Sequence, residues 1–235
     1  LCLALPSSGQ WGSTVASAVT GGTYVPITAG SAYGTNIGDD QVFANPTSPT
    51  SPGGTGIPIG FNFQYAGQSC DVLGINSNGF IYVYASASSP AFPTSGYITG
   101  GFSASYPKIS GWNHDLIGKG LSTSELRVET IGTAPNRTCV VQFSDWRYYD
   151  FTGSTLNFQI RLNESDNSVD FDYGACTATY TGSSYRPTIG LGSGTTSLGI
   201  LAVGGTAWGS PLSTLTAYSS GNNIPFSATS APVSG

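Results

Sequence analysis

The chain has 235 residues, enough for one large all-β domain or two small ones, and for a buried core. Glycine occurs 33 times and proline 14 times, and both residues disfavour helix interiors, so the composition argues against a helical protein. Charged residues make up only 8% of the chain and its net charge is −5, which argues against nucleic acid as a partner. The longest apolar run, residues 80–85, is far shorter than the roughly 18 residues that suggest a membrane span.

The N-terminal part of the sequence is almost uncharged, and the chain contains no Met, even at position 1. We expect it to begin after a processed leader or inside a longer polypeptide, which favours an extracellular or cell-surface location. Residues 1–19 are predicted to form an extension or edge strand ahead of a single domain over residues 20–228. Asp39 and Asp40 are the only charges in the first 70 residues. Because calcium prefers carboxylates in loops, they are candidate calcium ligands.

Three short strands are predicted next, over residues 57–63, 71–75 and 80–84, after a loop rich in proline and glycine. The turn before the third strand ends in Asn-Gly, a strong hairpin signal. The single histidine, His114, precedes Asp115, which could orient an imidazole in a hydrolase. A packing or turn role is favoured for His114, because the sequence has no Gly-x-Ser-x-Gly elbow or other standard hydrolase signature.

Alternating apolar and polar residues predict a four-stranded meander over residues 125–131, 138–145, 155–163 and 168–173. The residues expected on its inward face are Leu126, Val128, Val141, Phe143, Leu156, Phe158, Ile160, Leu162, Val169, Phe171 and Tyr173. Antiparallel register then aligns two outward rows. These rows are Arg127, Gln142, Gln159 and Asp172, and Glu129, Val140, Arg161 and Asp170. Arg161 and Asp170 are expected to form a cross-strand pair.

Two further strands are predicted over residues 186–191 and 198–203, and residues 229–235 resemble the start of a linker. Many short strands and no convincing helix predict an all-β, antiparallel two-sheet sandwich, of jelly-roll or immunoglobulin-like type. The four cysteines fit either an oxidising compartment or burial as thiols. The predicted register keeps Cys139 far from Cys176, so Cys139 is expected to be a buried thiol. The disulfide candidates are Cys70 with Cys176, or Cys70 with Cys2.

A polar and aromatic cluster in the turn between the two longest strands, together with the polar sheet face, is the candidate ligand-binding surface. Carbohydrate binding uses aromatic faces and planar polar side chains of this kind. The candidate residues are Trp146, Arg147, Tyr148, Tyr149, Asp150, Arg127, Gln159 and Asp172. For Trp146 and one tyrosine, packing at the edge of the core is the favoured alternative.

Several motifs resemble a domain of secreted surface proteins of Bacteroidota. They are Gly-Ile-Asn-Ser-Asn-Gly-Phe-Ile at residues 74–81, Gly-Thr-Ala-Pro-Asn-Arg at 132–137, and Leu-Asn-Phe-Gln-Ile-Arg-Leu at 156–162, followed by Phe-Asp-Tyr-Gly at 171–174. The resemblance covers residues 20–230. It implies an N-terminal β-sandwich module of large proteins exported by the type IX secretion system, often followed by fibronectin type III-like repeats. It also implies surface display and adhesion, and it carries over no catalytic residue.

We therefore predict a non-catalytic extracellular binding or adhesion module whose ligand is a surface glycan or a protein. We expect no nucleic-acid partner, no membrane span and no cofactor apart from calcium. The alternative is a structural subunit or spacer that contacts neighbouring domains or subunits of one surface assembly, because neutral flanks can pack without desolvating charge. A third hypothesis is a secreted hydrolase centred on His114.

Overall fold

The computed structural model describes residues 13–16, 19–20, 24–35, 37–45, 54–88, 107–120, 123–175, 188–193, 196–201 and 222–229. The strands are β1 Ser13–Ala16, β2 Val19–Thr20, β3 Ser31–Thr35, β4 Val42–Phe43, β5 Ile57–Tyr65, β6 Gln68–Asn76, β7 Phe80–Tyr84, β8 Lys108–Asn113, β9 Leu116–Gly118, β10 Glu125–Ile131, β11 Thr138–Tyr148, β12 Phe151–Asn163, β13 Val169–Tyr173, β14 Thr188–Ser193, β15 Thr196–Leu201 and β16 Asn222–Thr229. Within these residues the only helical element is a short 3-10 turn, Ser86–Ser88. The all-β prediction is confirmed.

The strands form two antiparallel sheets that pack against each other, as predicted. Among the described strands, sheet A has the order β1, β16, β13, β12, β11, β10, β3, with β2 beside β16 and β9 beside β11. Sheet B has the order β15, β14, β8, β7, β6, β4, with β5 also paired to β6. Because β10 to β13 are neighbours in both sequence and space, the centre of sheet A is the predicted meander.

The register of the meander is also the predicted one. Arg127 lies opposite Gln142, Gln142 opposite Gln159, and Gln159 opposite Asp172. A register set by hairpin connections fixes which side chains share a face, so the assignment of inward and outward positions follows directly.

The hairpin between β11 and β12 is longer than predicted. The two strands continue to Tyr148 and from Phe151, beyond the predicted limits at residues 145 and 155. Register shifts interrupt the pairing between Phe143 and Trp146, and Asp145 has a φ of 53°. Such a bulge breaks the alternation of side chains, which is why the sequence pattern ends early there.

The core lies between the two sheets. Every residue predicted on the inward face of the meander is buried, with at most 6% of its surface exposed. Phe143 and Phe158 of sheet A stack with ring centroids 4.4 Å apart. Trp112 of sheet B packs on Phe158 and on Tyr173, at 6.2 and 5.8 Å between centroids. This aromatic cluster joins the sheets and so fixes the turns at one end of the sandwich.

Two cysteines lie in the described part of the chain, and both are free thiols. Cys139 is completely buried, as predicted, and burial raises the pKa of its thiol to about 12. Cys70 has no disulfide partner among the described residues, and its predicted disulfide with Cys176 or Cys2 stays a prediction. The β6 backbone places its side chain in the core, where burial raises the thiol pKa to about 12. Cys176 and Cys2 lie outside the described residues.

Candidate functional site

Four turns meet at one end of the sandwich. They are residues 37–41 before β4, 76–79 between β6 and β7, 113–116 between β8 and β9, and 149–150 between β11 and β12. Backbone hydrogen bonds join them: Ser77 N to Gln41 O at 2.8 Å, His114 N to Asn78 O at 3.3 Å, and Tyr149 N to Asp115 O at 3.0 Å. Both sheets therefore contribute to this end, and each turn is held by another.

Asn78 and Gly79 form the predicted Asn-Gly turn at the centre of this end. The Asn78 side chain is buried; its Oδ1 accepts a hydrogen bond from Leu116 N at 2.8 Å, and its Nδ2 donates to Asp40 Oδ1 at 2.9 Å. Gly79 has a φ of 82°, and a Cβ there would lie 2.2 Å from the carbonyl oxygen of Trp112. Only glycine fits this position, so the turn presents Asn78 in one orientation.

Three aspartates from two of these turns form an acidic cluster: Asp39, Asp40 and Asp115. One carboxylate oxygen of each lies within 4.8 Å of the others. Oδ1 of Asp39 and Oδ1 of Asp115 are buried and have no hydrogen-bond partner in the described part of the chain. Asp39 and Asp40 are the calcium ligands predicted from the sequence, and Asp115 is the residue that follows His114.

The electrostatics of the acidic cluster are unfavourable without a positive partner. Burial, followed by repulsion from Asp115 and Asp40, raises the pKa of Asp39 to about 6. Burial also raises the pKa of Asp115; a hydrogen bond with the Asp39 carboxyl opposes this effect, and the charges of Asp40 and Asp150 add to it. Buried carboxylate oxygens need a donor or a cation. Three carboxylates are the hard oxygen ligands that calcium takes, so the residues present fit this ion in charge and ligand type.

The predicted aromatic cluster is divided between core and surface. Trp146 and Tyr148 are completely buried; Trp146 Nε1 donates to Glu125 O at 3.3 Å, and Tyr148 accepts a hydrogen bond from Trp112 Nε1 at 3.2 Å. Their burial between the sheets corrects their assignment as ligand contacts, since neither side chain reaches solvent.

The other three residues of that turn remain at the surface, beside the acidic cluster. Tyr149 is 50% exposed. Arg147 Nη1 donates to the carbonyl oxygens of Tyr148 and Tyr149, at 2.8 and 2.5 Å, which holds the turn. Asp150 is exposed and close enough for its charge to act on Asp115. The backbone of Tyr149 therefore adjoins that of Asp115, to which its N–H donates.

The polar row on the outer face of sheet A is not an open surface. Gln159 and Gln142 are 0% and 2% exposed, and Asp172 is 9% exposed. Residues 24–30, here called the strap, run across this face and cover it. This corrects the prediction that Gln159 and Asp172 lie on a solvated binding face.

The strap satisfies the polar groups that it covers. Ile27 N donates to Gln142 Oε1 at 2.8 Å, and Gln142 Nε2 donates to Ile27 O at 3.2 Å. Gln159 Nε2 donates to Val25 O at 2.8 Å, and Arg127 Nη1 donates to Ala29 O at 3.1 Å. These side chains therefore bind the chain's own backbone. Arg127, which was predicted to contact a ligand, also donates to the strap instead.

The charged residues at the end of the row pair diagonally. Arg161 lies opposite Asp170 as predicted, but Nε of Arg161 is 3.5 Å from Oδ2 of Asp172. Asp170 instead accepts a hydrogen bond from Asn163 Nδ2 at 2.8 Å. Burial raises the pKa of both aspartates, and Arg161 partly opposes this effect.

His114 is half-buried within the same group of turns. Its Nδ1 lies 3.4 Å from the backbone oxygen of Asp115, and its ring packs edge-on against Tyr148 with centroids 4.6 Å apart. The carboxylate of Asp115 belongs to the acidic cluster instead. This geometry matches the packing role favoured from sequence.

Comparison with known protein families identifies the chain. Residues 15–231 match the family model described as NIDO related. The chain belongs to the NIDO-related family. Domains of this nidogen-like type are β-rich extracellular modules, which agrees with the two-sheet fold of the NIDO-related chain. No curated protein and no solved structure matches it.

No helix in the described part of the NIDO-related chain is long and apolar enough to cross a membrane.

Proposed function

We propose that this NIDO-related chain is a non-catalytic, extracellular binding module that holds calcium in the acidic cluster and contacts its ligand there. The observation that carries the proposal is the convergence of Asp39, Asp40 and Asp115, with two buried carboxylate oxygens that have no hydrogen-bond partner among the described residues. A divalent cation would neutralise the repulsion and occupy those oxygens.

Calcium would be bound by the carboxylates and by oxygens supplied from the turns or from water, since it takes six to eight oxygen ligands. It would supply a positive charge with open coordination positions at the tip of the sandwich. Asn78 keeps Asp40 in place through its 2.9 Å hydrogen bond, so the cluster is positioned before any ion binds. A site built on rigid turns of this kind suits ligand recognition.

A surface glycan is the ligand class that these groups suit best. Sugar hydroxyls are hard oxygen ligands for calcium, and the apolar face of a sugar ring packs on an exposed aromatic ring. Tyr149 supplies an exposed ring in the turn whose backbone adjoins Asp115, and Arg147 and Asp150 of the same turn supply polar groups. We retain from the sequence motifs the proposal that the module belongs to a surface protein of Bacteroidota exported by type IX secretion.

A structural subunit or spacer is the second candidate function. It is supported by the strap, because the polar residues that could have formed a binding face are used to fix the chain's own segment. A module whose outer face is occupied in this way is suited to packing in an assembly.

A glycan array, probed with calcium and with chelator, tests the first candidate. We expect calcium-dependent binding to a defined class of sugar, and its loss in Tyr149→Ala. Val25→Ala is the matched control, because Val25 is a similarly exposed apolar residue, 61% against 50%, and lies on the strap. A blank array in both conditions, or full binding by Tyr149→Ala, would contradict the glycan assignment and favour the structural role.

A further inference from the structure

A cavity of about 220 Å³ lies at the end of sheet B opposite the acidic cluster. Its lining comes from the hairpin that joins β5 to β6, from the end of β7 and the 3-10 turn that follows it, and from Pro107 before β8. The acidic cluster adjoins the turn at the other end of β6. Because a strand rises about 3.3 Å per residue, Cys70 in the lining and Asn76 at that turn lie about 20 Å apart. The cavity is therefore well separated from the proposed calcium site.

The buried part of the cavity wall is largely apolar. Tyr65, Cys70 and Val83 belong to the core between the sheets, and each has at most 2% of its surface exposed. The polar lining residues Gln68 and Ser88 are exposed. A mostly apolar wall with a few polar groups is the usual composition of a small-molecule site.

Hydrogen bonds hold the cavity wall in one shape. Tyr65 Oη lies 2.8 Å from Lys108 O and 2.9 Å from Gly192 O, and it accepts a hydrogen bond from Gly192 N at 3.0 Å. At the 3-10 turn, the Asp71 carboxylate accepts hydrogen bonds from N and Oγ of Ser86, both at 2.6 Å. Because these groups are fixed before a ligand enters, binding costs little conformational entropy in the wall.

The surroundings of the cavity disfavour a charged occupant. Burial, followed by the charge of Asp71, raises the pKa of the Cys70 thiol to about 12. An anion in the cavity would meet the same desolvation and the same repulsion. A cation would also be desolvated, and none of the described residues that line the cavity is charged and able to pair with it. A neutral molecule avoids both costs.

We propose that this cavity binds a small, neutral molecule built on a single aromatic ring. Its volume sets the size, since an apolar cavity of about 150 Å³ holds benzene, whereas drug-sized ligands occupy about 300–1,000 Å³. Its wall favours an aromatic ring, because rings pack edge-on against other rings and make favourable contacts with sulfur. Tyr65 and Tyr84 supply the rings, and Cys70 supplies the sulfur.

Benzene, titrated into the full chain with isotope-labelled alanine and valine methyl groups, tests this proposal by NMR. We expect saturable shifts of the Ala66, Val83 and Ala85 methyl groups, with a dissociation constant of about 1 mM or below. Ala85→Leu places a larger side chain at the cavity wall and should weaken binding about tenfold or more. The matched control, Ala87→Leu, changes an exposed residue of the same 3-10 turn that lies outside the lining, and should bind as the wild type.

Benzoate tests the preference for a neutral ligand and should bind at least about tenfold more weakly than benzene. No saturable shift with benzene, equal affinity in Ala85→Leu and the wild type, or equal affinity for benzoate would overturn the proposal. If Ala85→Leu fails to fold, nuclear Overhauser contacts between benzene and the Val83 methyl groups of the wild type locate the ring. Their presence supports the proposal, and their absence overturns it. Because these measurements are made in chelator and without a glycan, failure here is distinct from failure of the proposed binding function.

Discussion

Replacing Gln142 by alanine is the sharpest perturbation of the covered face of sheet A. Its amide makes three hydrogen bonds, with Ile27 N, with Ile27 O and with Gln159 Nε2, at 2.8, 3.2 and 2.8 Å. A buried donor or acceptor left without its partner costs about 1–3 kcal/mol. Since the strap can shift and admit water to one of the orphaned groups, we expect a loss of about 2–4 kcal/mol in the free energy of unfolding.

Urea unfolding measures this loss, and amide hydrogen exchange locates it. Gln142→Ala should lower the unfolding midpoint and speed exchange of the Ile27 amide far more than exchange in β11. The control Gln68→Ala, at an exposed position, should change stability by no more than about 0.5 kcal/mol. Equal stability of the two variants, with the Ile27 amide still protected in Gln142→Ala, would refute the role assigned to the strap contacts.

Two further predictions concern sheet B and the turn beneath the acidic cluster. In Gly79→Ala, the alanine would have to adopt a positive φ, and its added Cβ would collide with the Trp112 carbonyl oxygen. We therefore expect the free energy of unfolding in urea to fall by about 2–4 kcal/mol. An unfolding midpoint equal to that of the wild type would contradict this prediction. Lys108 is completely buried, and burial lowers its pKa from 10.5 to about 7. The unfolded chain then holds a proton that the folded chain has lost, so stability should rise from about pH 7 towards pH 9, and Lys108→Met should flatten this rise. An unchanged slope in the variant would exclude Lys108 as its source.

The meander was accessible from sequence because one of its faces is continuously apolar. Alternation places Leu156, Phe158, Ile160 and Leu162 on one side, and a one-residue slip would expose all four. The turns on either side of each strand then determine which strands pair. The Asn-Gly turn likewise predicts the start of β7, whose limits, Phe80–Tyr84, are the predicted ones.

The strands that sequence reasoning missed lack this signal. β8, Lys108–Asn113, is buried at every position, and its lysine and glycine interrupt any alternation. The Lys108 ammonium lies 2.9 Å from Asn113 Oδ1 and 3.8 Å from the Phe80 ring centroid. The contacts with the Asn113 amide and the Phe80 ring stabilise the buried lysine. No sequence pattern predicts these contacts.

The covered polar face could not be predicted from the meander alone. Its row of glutamines fits a solvated surface just as well, because periodicity reports which residues share a face and not what lies on that face. The strap itself has no periodicity, and its sequence suggests a loop. Only the tertiary structure pairs Gln142 with Ile27, 115 positions away in the chain.

The acidic cluster was predicted in part. Asp39 and Asp40 were conspicuous as isolated charges, whereas Asp115 looked like a partner for His114. Their convergence depends on the turn at Asn78, which hydrogen-bonds to Asp40 and to the backbone of Leu116. These contacts join turns that lie 38 positions apart in the chain, so the spacing of residues in the sequence does not predict them.

Calorimetric titration of the metal-free chain with calcium, at neutral pH, tests the central claim most directly. We predict one site with a dissociation constant of about 0.1–1 mM, the range of extracellular modules. At 10 mM calcium this affinity corresponds to about 1.4–2.7 kcal/mol of added stability. The melting temperature should therefore rise by about 3–10 °C. Asp115→Asn should abolish both effects, while Glu129→Gln, on β10 away from the acidic cluster, should keep them. Absence of heat and of a thermal shift in the folded wild-type chain would contradict the account.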